Sequence, residues 1–209
     1  MAVDGTPPPV LEIIILDPAK QNKSTIQKWL NYDRDYLLDY FGFRKKIMKM
    51  IKKSKVKIHF NNQFEKKDVN NFDKIIVTTY ANNNLVLKKL GIKKLNEFKF
   101  EFVEKILIKL PKKFQKKSYV VVDGNFVCVD PYVGTNYHLL SDVKNSKLET
   151  RVGKFPIFKN KNKKFINKGI IRNIKISKFN NFIKRTSNYL PFLKTAKYVG
   201  SMFVVRAIM

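Results

Sequence analysis

Few residues in this chain combine a reactive type with a telling position. Glu104 is the first. In residues 98–110, Phe98, Phe100, Phe102, Ile106, Ile108 and Leu110 share one face of an alternating run, and Lys99, Glu101, Lys105 and Lys109 share the other. Glu104 falls on the apolar side. A carboxylate there must be paired, hydrogen-bonded or raised in pKa. It is either a site acid or a charge met by a neighbouring lysine or a strand bulge. Tyr132, Tyr137 and His138 gather around the break at Asp130-Pro131, either as a polar site or as an aromatic sheet face. Arg206 is the one charge in the closing run MFVVRAIM. Thr78, Thr79, Tyr80 and Ala81 follow the uncharged run at Ile75, Ile76 and Val77 and lead into three asparagines. Ligands of open α/β sheets sit beyond the carboxyl ends of such strands.

Other reactive types lack partners. Asp33, Asp35 and Asp39 have no His or Cys near them and read as a solvated helix face rather than a metal site. His59 sits on the polar side of its strand-like stretch and is distant from His138. Cys128 is the single cysteine, which excludes an internal disulfide and a multi-cysteine zinc site. In an apolar strand it reads as a small buried hydrophobe. The chain has no G-x-G-x-x-G, G-x-x-x-x-G-K, G-x-S-x-G or H-E-x-x-H, and no aromatic-basic ribonucleoprotein signature.

The elements that must position these groups follow from periodicity. Pro7-Pro8-Pro9 marks an extended leader, residues 10–16 a strand, and Asp17-Pro18 its end; no glycine-rich loop makes Asp17 a ribose ligand. Ser24 caps a first helix with Trp29 and Leu30 on its apolar side. Residues 43–54 predict an amphipathic helix docked on a sheet, with Phe43, Ile47, Met50 and Ile51 in one stripe and lysines opposite. Residues 55–60 alternate as a strand. Residues 72–80 predict a strand buried on both faces, the state of a parallel sheet. A short helix over residues 85–90 ends at Gly91. Asp123-Gly124 closes a hairpin within residues 118–129, and residues 137–140 form another short strand. Residues 144–173 read as mobile basic loop, residues 179–185 as a helix, and residues 198–209 as a strand that stops without a turn, as in a truncated chain.

Composition bounds the partners. The chain has 209 residues, 44% hydrophobic, enough for a real core. Its formal net charge is +27, from 43 basic and 16 acidic residues. Such a charge fits a nucleic acid or an anionic membrane. The basic residues are nearly all Lys, spread among many Asn, Ile and Phe, as AT-rich codons would encode. A nucleic-acid footprint would gather on one face and favour Arg. No apolar run is long enough to span a membrane, and no secretory signal opens the chain, which gives a cytoplasmic expectation.

The order of segments from Lys45 onward resembles the FAD-dependent oxidoreductases of the D-amino-acid-oxidase type, with glycine and sarcosine oxidases among them. The matching pieces are FRKKIMKMIKKSKVKIHF, FDKIIVTTYANNN, FEFVEKILIKLP, SYVVVDGNFVCVDPYVGTNYHLLSDV and NYLPFLKTAKYVGSMFVVRAIM. They cover about three quarters of the chain and no single piece is a tight signature; the order carries the weight. The resemblance implies an α+β fold: residues 1–97 a leader and a partial α/β FAD-binding portion, and residues 98–209 an antiparallel substrate-type domain with covering helices. It implies oxidation of an amine or amino acid by hydride transfer to FAD. It would put Thr78, Thr79, Tyr80 and Ala81 beside the FAD pyrophosphate, where the family usually has a glycine. Arg206 would clamp a substrate carboxylate, a pairing suited to the guanidinium fork, with Tyr132 and Tyr137 beside the substrate. Without the glycine-rich loop, the chain reads as a fragment. The alternatives are a basic nucleic-acid-binding module and a non-catalytic remnant of the flavoprotein fold.

Overall fold

A computed structural model describes residues 10–12, 34–36, 39–122 and 126–209. Two short strands, β1 (Val10–Glu12) and β2 (Arg34–Tyr36), pair antiparallel ahead of α1 (Tyr40–Lys53). After α2 (Asn83–Lys89) come β3 (Phe98–Lys109), β4 (Tyr119–Val121), β5 (Val127–Pro131), β6 (His138–Asp142) and β7 (Lys147–Gly153). The short α3 (Asn160–Lys163), then α4 (Phe179–Thr186), lead to β8 (Lys197–Ile208). The chain is α+β, and β3 to β8 form one six-stranded antiparallel sheet. The expected leader, the Ser24-capped helix and the Asp123-Gly124 turn lie outside the described residues.

The longest alternating run has become the central strand. One edge of β3 pairs with β7 over residues 98–103 and with β6 over residues 106–108. Its other edge pairs with β8 along nearly its whole length. The hairpin of β4 and β5 extends the sheet beyond β6. The outer edge of β8 is closed by residues 166–171, through bridges from Ile166 to Phe203 and from Ile171 to Ser201. Covering a sheet edge in this way removes a template for aggregation. Gly200 permits it: a Cβ there would meet the Ile171 carbonyl oxygen at 2.8 Å.

One face of the sheet carries both hydrophobic clusters. Ile106, Ile108 and Leu110 pack with Val121, Val127, Val129 and Leu140 beneath Phe182 of α4 and Leu193. Phe100 and Phe102 pack with Ala81, Phe158 and Phe203, and the Phe102 and Phe203 rings stack at 5.5 Å. Glu104 stands between the clusters with no exposed surface. Its carboxylate accepts from the Lys178 amide at 3.0 Å and from the Ser201 hydroxyl, which also contacts the Tyr198 hydroxyl at 2.9 Å. A backbone amide and a hydroxyl, not a lysine side chain, therefore satisfy this carboxylate.

Several sequence expectations fail in residues 39–97. Residues 55–60 and 72–77 belong to no strand. Phe60 is 70% exposed and Ile76 86% exposed, and Ile75 and Val77 are only half-buried, so the run is not buried on both faces. A β-strand exists only when a neighbour accepts its ladder, and residues 39–97 contain no strand to offer one. The helix α1 forms, with the Asp39 carboxylate accepting from the Gly42 amide at 3.0 Å as N-cap. It buries no residue, however; Phe43, Ile47 and Met50 are all exposed. The apolar stripe is present but does not dock on the sheet. α2 ends as expected, with Gly91 at φ 84° and the Ile92 amide bonded to the Leu87 carbonyl at 3.0 Å. Residues 144–173, expected as mobile loop, contain β7 and the buried Phe158. Glu149 also ties this segment together by accepting from the Lys159 amide and from Asn162 at 2.7 Å.

Candidate functional site

The second face of the sheet carries Arg206, Glu101 and Lys105. Side chains alternate along β3, and the register with β8 is unbroken from Lys99 to Leu107. Glu101 therefore stands opposite Arg206, Val103 opposite Val204, and Lys105 opposite Met202, all on the face away from the two clusters. At the same level as Lys105, β6 contributes Ser141, whose partner on β5 is Cys128.

Glu101 has no exposed surface although the sequence places it on the polar side. Three cations close over it. The Arg206 guanidinium bonds it through Nε at 3.0 Å and through Nη2; Lys147 lies at 3.3 Å and Lys99 at 3.7 Å. Burial pushes the Glu101 carboxyl pKa up, but the hydrogen bonds and charges of Arg206 and Lys147 outweigh it and hold it below the usual carboxylate range. Arg206, expected from the resemblance as a carboxylate clamp, is thus held in place by a carboxylate of its own chain and remains half exposed.

Lys105 is the second distinctive cation. Its Nζ lies 2.8 Å from the Ser141 hydroxyl oxygen. Burial lowers its pKa, Cys128 and Asp130 raise it in part, and Arg206 lowers it further. The Cys128 thiol is pushed up by burial and by Asp130, against the opposing pull of Lys105. Asp130 accepts a short hydrogen bond from Ser118. Sequence reasoning missed Lys105 and Ser141 because alternation gives the face of a residue but not its partner on the next strand.

The remaining candidates divide between the two ends of the sheet. Tyr80 reaches β8: its hydroxyl accepts from the Ala207 amide at 3.2 Å and lies 3.4 Å from the Ala207 carbonyl oxygen. That places the exit at residues 78–81 one residue from Arg206 in the strand. Thr78 and Thr79 are exposed, and Ala81 is buried in the phenylalanine cluster. Tyr80 has φ 52°, the left-handed region that favours glycine. The expected glycine is missing, but the turn that a glycine would make is kept. The Thr79 hydroxyl donates to the Asn83 side-chain oxygen at 3.0 Å.

Tyr132 and Tyr137 lie elsewhere. The Tyr132 amide donates to the Tyr137 carbonyl at 2.9 Å across the turn between β5 and β6. His138 pairs with Ile108, whereas Arg206 pairs with Glu101. At about 3.4 Å per residue, those two levels of β3 are roughly 24 Å apart. The tyrosines and Arg206 therefore do not form one pocket. His138 itself faces the core, and burial lowers its pKa against a smaller backbone contribution from Lys117. Among the described residues no group of His, Cys, Asp and Glu could hold a metal ion, and no helix is long and apolar enough to cross a membrane. The chain matches no protein-family model, no curated protein and no solved structure.

Proposed function

We propose that this chain forms the substrate face of an FAD-dependent oxidoreductase of the D-amino-acid-oxidase type, acting on an amine or amino acid. The observation that carries the reading is the bond between Tyr80 and the Ala207 backbone. It links the exit expected beside a cofactor to the strand end expected to hold a substrate carboxylate, across 127 residues of sequence.

The roles follow from the residues. Arg206, oriented by Glu101, would bind the substrate carboxylate. Thr78, Thr79 and the left-handed Tyr80 backbone would lie against the cofactor, while Ala81 anchors that turn in the core. A bound flavin would supply the hydride acceptor at its N5. The protein supplies position and charge. The sequence has no glycine-rich phosphate loop, so the reading gives this chain one side of the cofactor site only.

The test is a flavin titration. The purified chain should carry visible flavin absorbance or quench the fluorescence of added FAD, and Tyr80→Phe, which loses the bond to Ala207, should weaken that response. A colourless chain that leaves FAD fluorescence unchanged sinks the reading.

A further inference from the structure

We propose that the second face of the sheet binds a small organic dianion, with one carboxylate on Arg206, the other on Lys105, and the carbon chain over Val204 and Met202. The register sets the arrangement. Three successive levels of one face read Glu101 with Arg206, then Val103 with Val204, then Lys105 with Met202. Levels two residues apart are about 7 Å apart, so two cations bracket an apolar floor roughly 13 Å long between backbones. On that floor Val204 is 38% exposed, whereas Val103 is buried. A monoanion could satisfy only one end.

The charge balance points the same way. Lys99, Lys147 and Arg206 share the single carboxylate of Glu101. Lys105 is in no ion pair among the described residues and is held by a neutral hydroxyl. With Asp130 counted as well, which raises the Lys105 pKa, the face still carries cations in excess of its own anions, and Arg206 in turn lowers the Lys105 pKa. An anion spanning both would remove that repulsion. Both cations are already oriented, Arg206 by Glu101 and Lys105 by Ser141, so less side-chain freedom is lost on binding.

As a statement about substrate, an amino acid with an acidic side chain rather than a neutral one, this rests on the oxidoreductase reading. As a statement about a binding site it does not, and its test needs no flavin. Calorimetric titration of the full chain with glutarate, using butyrate as the singly charged control at equal ionic strength, measures both. Glutarate should bind about 10-fold or more tighter than butyrate, the scale of one charge-assisted hydrogen bond. Lys105→Gln should bring glutarate to the butyrate level and leave butyrate unchanged. Arg206→Lys, which keeps the charge and loses the fork, should weaken both acids. Equal binding of the two acids, binding of neither, or a glutarate preference that survives Lys105→Gln overturns the proposal. If Arg206→Lys fails to fold by circular dichroism, Lys105→Gln decides alone. Loss of glutarate binding with flavin binding retained counts against the dianion site only; glutarate binding in a chain that takes no flavin counts against the oxidoreductase only.

Discussion

Glu101 and His138 both lie fully inside the molecule, and their environments act on charge in opposite ways. Glu101 stays ionised because cations surround it and reach water themselves. Its contribution is present at neutral pH and is lost as pH falls through its lowered folded value. His138 is buried on the core face, and burial favours the neutral ring. The sign follows from linkage: the unfolded chain takes up a proton near the ordinary histidine value of about 6.5, before the folded one does. Stability should fall as pH drops from that value towards the lowered folded pKa. His138→Gln should flatten this part of the profile, read as urea midpoints between neutral pH and about pH 5. An unchanged slope would mean His138 is charged in the fold.

At the scale of elements, β8 depends on a residue with no side chain. Gly200 lets residues 170 and 171 approach the strand, where Ile171 exchanges two 2.9 Å backbone bonds with Ser201. Gly200→Val would press against the Ile171 backbone and the Ile170 side chain. It should cost about 2–3 kcal/mol, the range of core overpacking, with the loss seen as a lower denaturation midpoint. Amide exchange should locate the damage at Ile171 and Ser201, not at α4. The contrasting element is α1, which caps correctly and carries a complete apolar stripe but buries none of its residues; its Phe41 ring meets the Tyr132 ring edge-on at 5.7 Å. Its formation depends on local propensity and capping, and docking depends on a surface that residues 39–97 do not build.

For the whole molecule, the dominant quantity is a formal charge of +27. Self-repulsion of this size destabilises the compact state and is screened by salt. The thermal midpoint should therefore rise as sodium chloride is raised from about 0.02 M to 0.2 M, before any specific ion effect. A midpoint independent of salt would mean that ion pairs such as Lys147 with Glu101 already offset the repulsion. Retention on immobilised DNA over the same salt range tests the nucleic-acid alternative. Tight retention at low salt that falls steeply towards 0.2 M would favour that reading, since phosphate binding weakens steeply with salt, and no retention at low salt would sink it.

The sequence by itself determined the local elements whose signals lie within one segment. The alternation of residues 98–110, the paired strands around residues 118–129, the helix near residues 179–185 and the Gly91 stop are local patterns, and each appears at its expected place. Only the tertiary structure decided which strands meet. The runs at residues 55–60 and 72–77 have strand composition but pair with no strand, and Phe60 and Ile76 are exposed. Glu101 reads as solvated until β7 and β8 bring Lys147 and Arg206 beside it. Tyr132, Tyr137 and Arg206 share the chemistry of a site but lie at opposite ends of β3. Pairing register joins residues distant in the chain, and periodicity within one segment carries no information about its neighbour.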